Sequence, residues 1–248
     1  MQLAELPWPR VQELDRNTPV VIPVAAFEQH GHHLPVFTDS LLLGEVVRRV
    51  SERFQQTALF APLTWLGNSH HHLDFTGTLS AEPRVYLELL RGLANQFIGF
   101  GFKRIVFLNG HGGNIVPGKQ AIFELRQEHR ERQDLLLLFA TYWETATVPD
   151  DGMFQQRDMG HACEWETSMI LRLAPHLVGD YKSAIDLASE GEFKTTPRAW
   201  TTKDRTSVGH IGMPRLATVE KGERLFATFA AGVETLLNDV HNWSGKTW

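Results

Sequence analysis

The chain has 248 residues, 42% hydrophobic and 21% charged, so a single domain over residues 1–248 can bury a core without disulfides. Its formal net charge of −5 provides no basic surface for nucleic acid, and no apolar run approaches the roughly 18 residues of a membrane span. Cys163 is the only cysteine, which excludes an internal disulfide and a thiolate-rich metal site. The first residues show no secretion signal, so the sequence predicts a cytoplasmic protein.

Strand-like and helix-like segments alternate along the chain. Apolar, β-branched runs predict strands over 19–26, 58–63, 104–108 and 135–140. Helical spacing predicts helices over 41–54, 80–97, 117–131, 162–173 and 219–237. The second of these helices is predicted to have Ser80 as its N-cap and a buried face of Val85, Leu89, Leu93 and Phe97. Residues 180–215 are predicted to be a long loop. This alternation predicts one α/β domain with a mostly parallel central sheet and helices on both faces.

The twelve histidines are distributed unevenly. They cluster at 30, 32 and 33 and at 70–72, and occur singly at 111 and 161, beside Gly, Asp, Glu or Asn. In open α/β sheets, ligands bind beyond the carboxyl ends of the strands. Two of the histidine-bearing turns follow predicted strands, so we expect the chemistry there.

The first of these turns contains Glu28 and His30. If the preceding strand continues to His30, both side chains lie on one face because strand side chains alternate, and Asp39 follows at the start of the next helix. Taken alone, Asp39 is better explained as a helix N-cap, and His30 equally well as a hydrogen-bonded turn residue. A structural explanation is weaker for Glu28, since a carboxylate at the end of an apolar strand is costly to desolvate without a cation.

The second turn, Asn109-Gly-His-Gly-Gly-Asn114, ends the third predicted strand. Its three glycines allow a sharp bend and a close approach of the backbone to a ligand. Neither of the phosphate-binding patterns GxxxxGK[ST] and GxGxxG is present. His111 is therefore better explained as a metal ligand than as part of a structural turn.

A third group of polar residues begins the predicted helix 162–173. Glu166 falls on the apolar face, where a carboxylate must be protonated, ion-paired or bound to a metal. Glu164 lies off this face and is predicted to be solvated or to support a ligand. His161 at the helix start can reach the same pocket, and Cys163 is predicted to be a small core residue.

The remaining histidines offer weaker signals. Three consecutive side chains at 70–72 cannot all point at one ion, so they predict a mobile loop that lines the pocket, with at most one member contacting substrate. Surface positions are predicted for four others, which lack acidic neighbours at ligand spacing: His129, His176, His210 and His241.

Together these turns predict a metal centre. Its expected ligands are two imidazoles and three carboxylates: Glu28, His30, Asp39, His111 and Glu166. This set suits Zn²⁺, Mn²⁺ or Fe²⁺, and five ligands suit two ions about 3.5–4 Å apart, bridged by Asp39, better than one open tetrahedral site. Such a pair activates water and polarises a carbonyl, as amide hydrolysis requires, and His161 is predicted to move the proton to the leaving nitrogen.

The sequence resembles the creatininase, or creatinine amidohydrolase, family. The resemblance is carried by PVAAFEQHGHHLPVFTD over 23–39, FTGTL over 75–79, NGHGGN over 109–114, His161 with ETS at 166–168, and a weaker ATVEKG over 217–222. It implies a creatininase-like α/β fold, a binuclear metal centre, hydrolysis of a cyclic amide or related C–N bond in a small molecule, and a homo-oligomer, often a hexamer. The resemblance matches four of the expected ligands to metal-binding positions of the family: Glu28, His30, Asp39 and His111. It also matches His161 to the catalytic histidine and Trp143 to a tryptophan that lines the substrate site.

The sequence departs from creatininases at two places. Gly112 and Gly113 stand where creatininases carry Tyr and a metal-binding Glu, so Glu166 is predicted to supply the missing ligand and Gly112 to line the substrate site. Arg157 replaces a tryptophan that packs on substrate, which predicts an anionic or more polar substrate. Relatives with the Gly-Gly form include formamidopyrimidine deformylases and a peptide-trimming maturase, so the substrate class stays open.

Two other interpretations remain at this point. The missing glutamate at Gly113 is compatible with a catalytically silent metal-binding or small-molecule-binding protein that retains the fold. The polar residues could also satisfy one another in a buried network without any cation.

Overall fold

The chain, described by a computed structural model, is built on a parallel sheet. The structure describes residues 1–187 and 196–245, and the statements below refer to these. Within them, four strands are paired in the order β2-β1-β3-β4: β1 Val20–Val24, β2 Leu59–Phe60, β3 Arg104–Asn109 and β4 Leu136–Thr141. Every pairing is parallel, which confirms the predicted sheet.

Helices cover both faces of this sheet, as predicted. They are α1 Trp8–Gln12, α2 Thr38–Arg53, α3 Pro83–Gly99, α4 Ile115–Glu128, α5 Glu164–Leu173, α6 Thr202–Arg205 and α7 Val219–Asn242. Strand residues alternate between the two faces. Val21 and Val106 pack with α2, α5 and α7 on one side, whereas Ile22 and Phe107 pack with α3 and α4 on the other. Among the described residues, no helix is both long and apolar enough to cross a membrane.

The prediction for α3 was wrong in its start and in part of its buried face, since Phe97 is buried and Leu93 partly buried but Val85 and Leu89 are exposed. The helix begins at Pro83, and its N-cap is Glu82, whose carboxylate accepts from the Arg84 and Val85 amides, rather than Ser80. Val85 is 63% exposed, because the neighbouring position Tyr86 fills the space against the sheet. The buried face consists of Tyr86, Leu90, Ala94, Phe97 and Ile98.

Near the first turn, the condition on the strand is not met, and the N-cap alternative for Asp39 is excluded. The strand β1 ends at Val24 and does not continue to His30. Beyond it the chain folds back irregularly, with the Glu28 amide donating to the Val36 carbonyl at 2.9 Å. Asp39 is the second residue of α2 and therefore lies inside the helix rather than capping it.

The segment predicted as a long loop is mostly irregular where the structure describes it. It contains α6 and a short 3-10 turn at Pro214–Leu216. The part of this prediction that falls on 188–195 lies outside the described residues.

Candidate metal centre and active site

The predicted ligands come together at the carboxyl edge of the sheet. The turn after β1 supplies Glu28 and His30, and the turn after β3 supplies His111. The first turns of α2 and α5 supply Asp39 and Glu166. All five are buried, with 6% or less of each residue exposed. Parallel strands and helix starts on one edge explain the convergence, since residues far apart in sequence meet there.

Glu28 lies at the centre of a ring of imidazoles. Its Oε1 is 3.3 Å from His72 Nε2 and 3.6 Å from His161 Nδ1. Its Oε2 is 3.3 Å from His111 Nε2. A single buried carboxylate therefore faces three imidazoles.

Asp39 lies between two parts of the cluster. One carboxylate oxygen is 3.2 Å from His30 Nε2 and the other is 3.0 Å from His111 Nδ1. Glu166 Oε1 is 3.7 Å from the same His30 nitrogen. This position between His30 and His111 is the one that a bridging carboxylate needs, and it supports the bridging role predicted for Asp39.

Three buried atoms of the cluster make no well-formed hydrogen bond, although each lies within 3.3 Å of another member of the cluster: Glu28 Oε2, His30 Nε2 and Asp39 Oδ2. The His30 ring donates through Nδ1 to the backbone carbonyl of Glu28 at 3.0 Å, so Nε2 is the nitrogen that faces Asp39 and Glu166 and that would bind a metal after losing its proton. A histidine fixed in this way through its second nitrogen is typical of a metal ligand.

Ligand atoms of several residues are also close enough to share an ion. Among the described residues, they fall into three groups: Glu28, His30 and His161; Glu28, His71 and His111; and His30, Asp39 and Glu166. Unpaired carboxylate and imidazole atoms are costly to bury unless a cation or a proton satisfies them. The donors present therefore fit a divalent cation of the Zn²⁺, Mn²⁺ or Fe²⁺ type.

In the metal-free protein, the carboxylates of the cluster raise the pKa values of His30 and His111, so that these two imidazoles keep a proton. Burial raises the pKa of Glu28 to about 7, although the charge of His111 opposes the rise. Burial lowers the pKa of His111, but Glu28 and Asp39 outweigh this effect and raise it to about 9. For His30, Asp39 and Glu166 likewise outweigh burial and hold the pKa well above its ordinary value. In Asp39 burial acts upward, but His30 and His111 bring the pKa below its usual range.

His161 reaches the cavity, as predicted, and differs from the other imidazoles. Its Nε2 lies 2.8 Å from the Gln29 carbonyl, to which it donates, so Nδ1 carries the lone pair. Burial and the neighbouring His30 charge lower its pKa well below the ordinary value. His161 is therefore neutral near pH 7, with Nδ1 able to accept a proton.

His72, Gln29 and Thr202 form a supporting network that the sequence analysis missed. The Gln29 amide donates to the Gly209 carbonyl at 2.8 Å and lies 2.8 Å from His72 Nδ1. The Thr202 hydroxyl is 3.0 Å from the same nitrogen. Because Nδ1 accepts these bonds, Nε2 carries the proton and faces Glu28. His71 and His72 both line the cavity, as predicted for this segment, and how many of them contact substrate stays a prediction. The only signal was the proximity of three histidines, which does not show which of them turn inward.

Other predictions for buried residues had mixed outcomes. Cys163 is fully buried, as predicted. Glu164 is not solvated: it is fully buried and forms an ion pair with Lys221, whose position in the fold the sequence did not reveal. His210 is 3% exposed rather than at the surface, because its ring packs against His33 and its Nε2 donates to the Ile185 carbonyl. His176 and His241 are exposed, and His129 is half-buried.

The two glycines after His111 shape the cavity in different ways. A Cβ at Gly113 would lie 2.2 Å from the Asn68 carbonyl oxygen and 2.5 Å from His111 Nε2. This backbone therefore has no room for a side chain at 113, and the Glu expected there in creatininases has no place. Gly112 has open space beside it and lines the cavity, as does Trp143.

The cavity above the cluster measures about 680 Å³. Arg157 does not line it: the Arg157 side chain is 82% exposed, lies 3.9 Å from an Asp150 oxygen, and borders a separate small pocket. The prediction that Arg157 contacts substrate is corrected by this position, because the side chain points to solvent and away from the main cavity. Arg198, Trp200 and Arg205 line the main cavity instead.

Comparisons with known proteins give a consistent result. A family model described as creatinine amidohydrolase (Creatininase) matches residues 4–237. The chain is 33% identical over 218 residues to a mycofactocin precursor peptide peptidase of Mycolicibacterium smegmatis, with 86% of this chain and 81% of the relative covered. It is 29% identical over 240 residues to a creatinine amidohydrolase of Pseudomonas putida, with 89% and 88% covered.

Solved structures agree with these sequence matches. A mutant creatininase described as the Zn–Zn type has a TM-score of 0.81 at 26% identity, with 98% of each chain covered. A structure described as creatininase Mn has a TM-score of 0.78 at 26% identity, with 98% of this chain and 99% of that chain covered.

Proposed function

The chain belongs to the creatininase family, and we propose that it is a metal-dependent hydrolase that cleaves an amide C–N bond. The observation that carries this proposal is the convergence of buried carboxylates and imidazoles on one point, where three atoms of Glu28, His30 and Asp39 make no well-formed hydrogen bond. An internally satisfied polar network would leave no such atoms in the centre of its own cluster. They support a cation site rather than the buried-network interpretation.

We propose that two ions bind per chain. Five residues would hold them: Glu28, His30, Asp39, His111 and Glu166. Bound divalent ions supply Lewis acidity, which polarises the amide carbonyl and makes water nucleophilic near neutral pH. Glu166, which lies 3.7 Å from His30, would supply the ligand that Gly113 cannot carry. Zn²⁺ and Mn²⁺ are the first candidates because the similar creatininase structures are described with them.

His161 is the proposed proton carrier. Its lone pair at Nδ1 accepts a proton from the attacking water and returns it to the leaving nitrogen. The Gln29 carbonyl fixes the tautomer by accepting from Nε2 at 2.8 Å, so that only Nδ1 serves. The low pKa that burial gives His161 favours rapid release of that proton.

A short peptide is the first candidate substrate. The relative that is 33% identical is named a peptide peptidase. A cavity of about 680 Å³ is in the usual range for ligands larger than one small ring, and it accommodates groups on both sides of an amide bond. A cyclic amide is the second candidate, favoured by Trp143, which offers a flat wall in the cavity, and by the creatinine amidohydrolase relative. A cytoplasmic homo-oligomer stays a prediction.

The proposal is tested by assaying purified full-length protein on N-acetylated di- and tripeptides, lactams and creatinine. We expect turnover of at least one class that is lost on dialysis against a chelator and restored by Zn²⁺ or Mn²⁺. Metal content is measured in the same samples, with close to two equivalents per chain expected.

The His161→Gln variant separates catalysis from binding. It should retain the metal and lose about 10²–10⁴-fold in kcat, because only the proton carrier is removed. Exposed His176→Gln is the matched control. A wild-type protein that binds metal but turns over none of the panel would instead favour the catalytically silent binding protein.

A further inference from the structure

One wall of the cavity, which we call the cationic wall, consists of Arg198, Trp200 and Arg205. The base of the cavity carries three carboxylates that are contacted by imidazoles, whereas this wall presents two guanidinium groups to the same cavity. The inference drawn from it rests on the proposed function, because it concerns what the same cavity binds.

Thr202, next to the cationic wall in sequence, connects it to the candidate metal centre through His72. Thr202 is fully buried, and its hydroxyl is 3.0 Å from His72 Nδ1, while His72 Nε2 faces Glu28. The short helix α6 is closed by a capping box between Thr201 and Asp204. A wall held in this way is set at a fixed position relative to the ligands, which a specificity element requires.

A continuous series of ring contacts leads from the wall to the base. The Arg205 guanidinium lies over the Trp200 ring, 4.7 Å from its centroid. Trp200 meets His71 edge-on at 5.2 Å, and His71 stacks on His111 at 5.7 Å between centroids. A substrate that contacts Trp200 is thus within one or two side-chain widths of the proposed metal ligands.

The positive charge of Arg198 has no close counter-charge among the described residues. Asp204 is the described carboxylate whose pKa responds to Arg198, but the Thr201 amide and hydroxyl already hold that carboxylate, at 2.6 and 3.0 Å. Arg198 is exposed and borders the cavity. Guanidinium groups match carboxylate and phosphate oxygens in a planar, two-pronged geometry, and stacking on an aromatic ring fixes their orientation.

We propose that the cationic wall binds an anionic group of the substrate, of the carboxylate or phosphate class, while the scissile amide lies over the metal centre. For a peptide substrate, this group is a free C-terminal carboxylate close to the cleaved bond. The sequence analysis predicted an anionic substrate from Arg157; in this proposal the residues that bind the anion are those of the cationic wall.

The test compares matched pairs of probes by titration calorimetry on the metal-loaded, full-length His161→Gln protein, which is expected to retain the metal and not to turn the probes over. The carboxylate pair is N-acetylglycylglycine and its C-terminal amide, and the phosphate pair is N-acetylethanolamine phosphate and N-acetylethanolamine. We expect at least one anionic probe to bind roughly tenfold or more tightly than its neutral partner, the size of one charge-assisted hydrogen bond. The pair with the larger ratio identifies the source of the anion.

Two variants, Arg198→Gln and Arg205→Gln, then locate the binding group. Each should reduce the ratio of anionic to neutral affinity at least severalfold and leave the affinity for the neutral probe unchanged. Exposed Arg84→Gln, on α3 outside the cavity, is the matched control. Circular dichroism and metal content should match those of the wild type.

Several results would overturn the inference. Equal affinity for both members of each pair removes the anionic subsite, and so does a preference that survives both substitutions, which indicates direct metal coordination by the probe. A preference that disappears in Arg157→Gln instead returns the role to that residue. Because binding is measured without turnover, absent hydrolysis with an intact preference counts against the proposed function and leaves this inference standing.

Discussion

The base and the wall of the cavity are built on opposite principles. The base consists of carboxylates and imidazoles that are 6% exposed or less, held by strand ends and helix starts around the sheet. The wall consists of exposed guanidinium and indole groups on an irregular segment, attached to the base through one buried threonine, Thr202. Charged groups are costly to bury, so we expect them in the base only because the reaction requires them there. Residues of the solvated wall can be substituted with little loss of stability.

This difference separates reaction from selectivity in the proposed enzyme. Changes in the base are expected to abolish turnover or unfold the protein, because each group there is packed and electrostatically coupled. Changes in the wall are expected to alter substrate preference by smaller factors. The predictions below test this division, beginning with the largest effect.

Asp39→Asn should have the largest effect. It removes charge from the carboxylate that contacts both His30 and His111, so we expect kcat/KM to fall at least about 10³-fold with loss of bound metal. Steady-state assays and metal analysis provide the measurement. Asp74→Asn, at an exposed carboxylate, is the control, and an Asp39→Asn enzyme with wild-type activity would remove the metal centre from the proposal.

Lys221→Met should weaken the support beneath the base. Glu164 is fully buried and depends on Lys221 for its counter-charge, so removing the ammonium should lower the free energy of unfolding by about 3–5 kcal/mol. Urea denaturation measures it, with exposed Lys119→Met as the control. The double variant with Glu164→Gln should recover part of the loss, and an undiminished loss there would show that the pair is not the cause.

The affinity for metal should rise with pH between about 6.5 and 9. In the metal-free protein, Glu28 and Asp39 raise the pKa of His111 to about 9 from 6.5, so a proton stays on it through this window. That proton stabilises the metal-free fold below pH 6.5, and the stabilisation is lost as pH rises through 9. A metal must displace it, which predicts up to about tenfold tighter binding per pH unit for each proton released.

Competition with a chelator of known pH dependence measures this trend at pH 7, 8 and 9. An affinity that does not change over this range would contradict the protonated state that we infer for the metal-free cluster.

Trp200→Ala should have the smallest effect. The ring stacks with Arg205 and contacts His71 but does not touch the carboxylates of the base, so KM should rise a few-fold with kcat little changed. Trp8→Ala is the control, since this side chain is 75% exposed and borders a different groove. A large fall in kcat would show that the wall takes part in the reaction itself.

Much of the fold and the reactive cluster could be read from the sequence. The alternation of apolar strands and amphipathic helices predicted the parallel sheet because burial on both faces leaves a continuous hydrophobic pattern. Glu28 and Glu166 stood out for a related reason, since a carboxylate on an apolar segment needs a partner, and motif order supplied His30, Asp39, His111 and His161. The start of α3 was misjudged, because a helix register depends on which side chain fills the gap against the sheet, as Tyr86 does.

What the sequence alone determined is therefore the type of chemistry, since side-chain type and local hydrophobic context fix which groups are too costly to bury unpaired. The tertiary structure decided which residues share one cavity. In the folded protein the Arg157 side chain points to solvent, and Arg198 and Arg205 lie in the cationic wall of the cavity. Lys221 pairs with Glu164. These contacts join residues that are distant along the chain, and no local pattern records them, because they depend on how loops cross the carboxyl edge of the sheet.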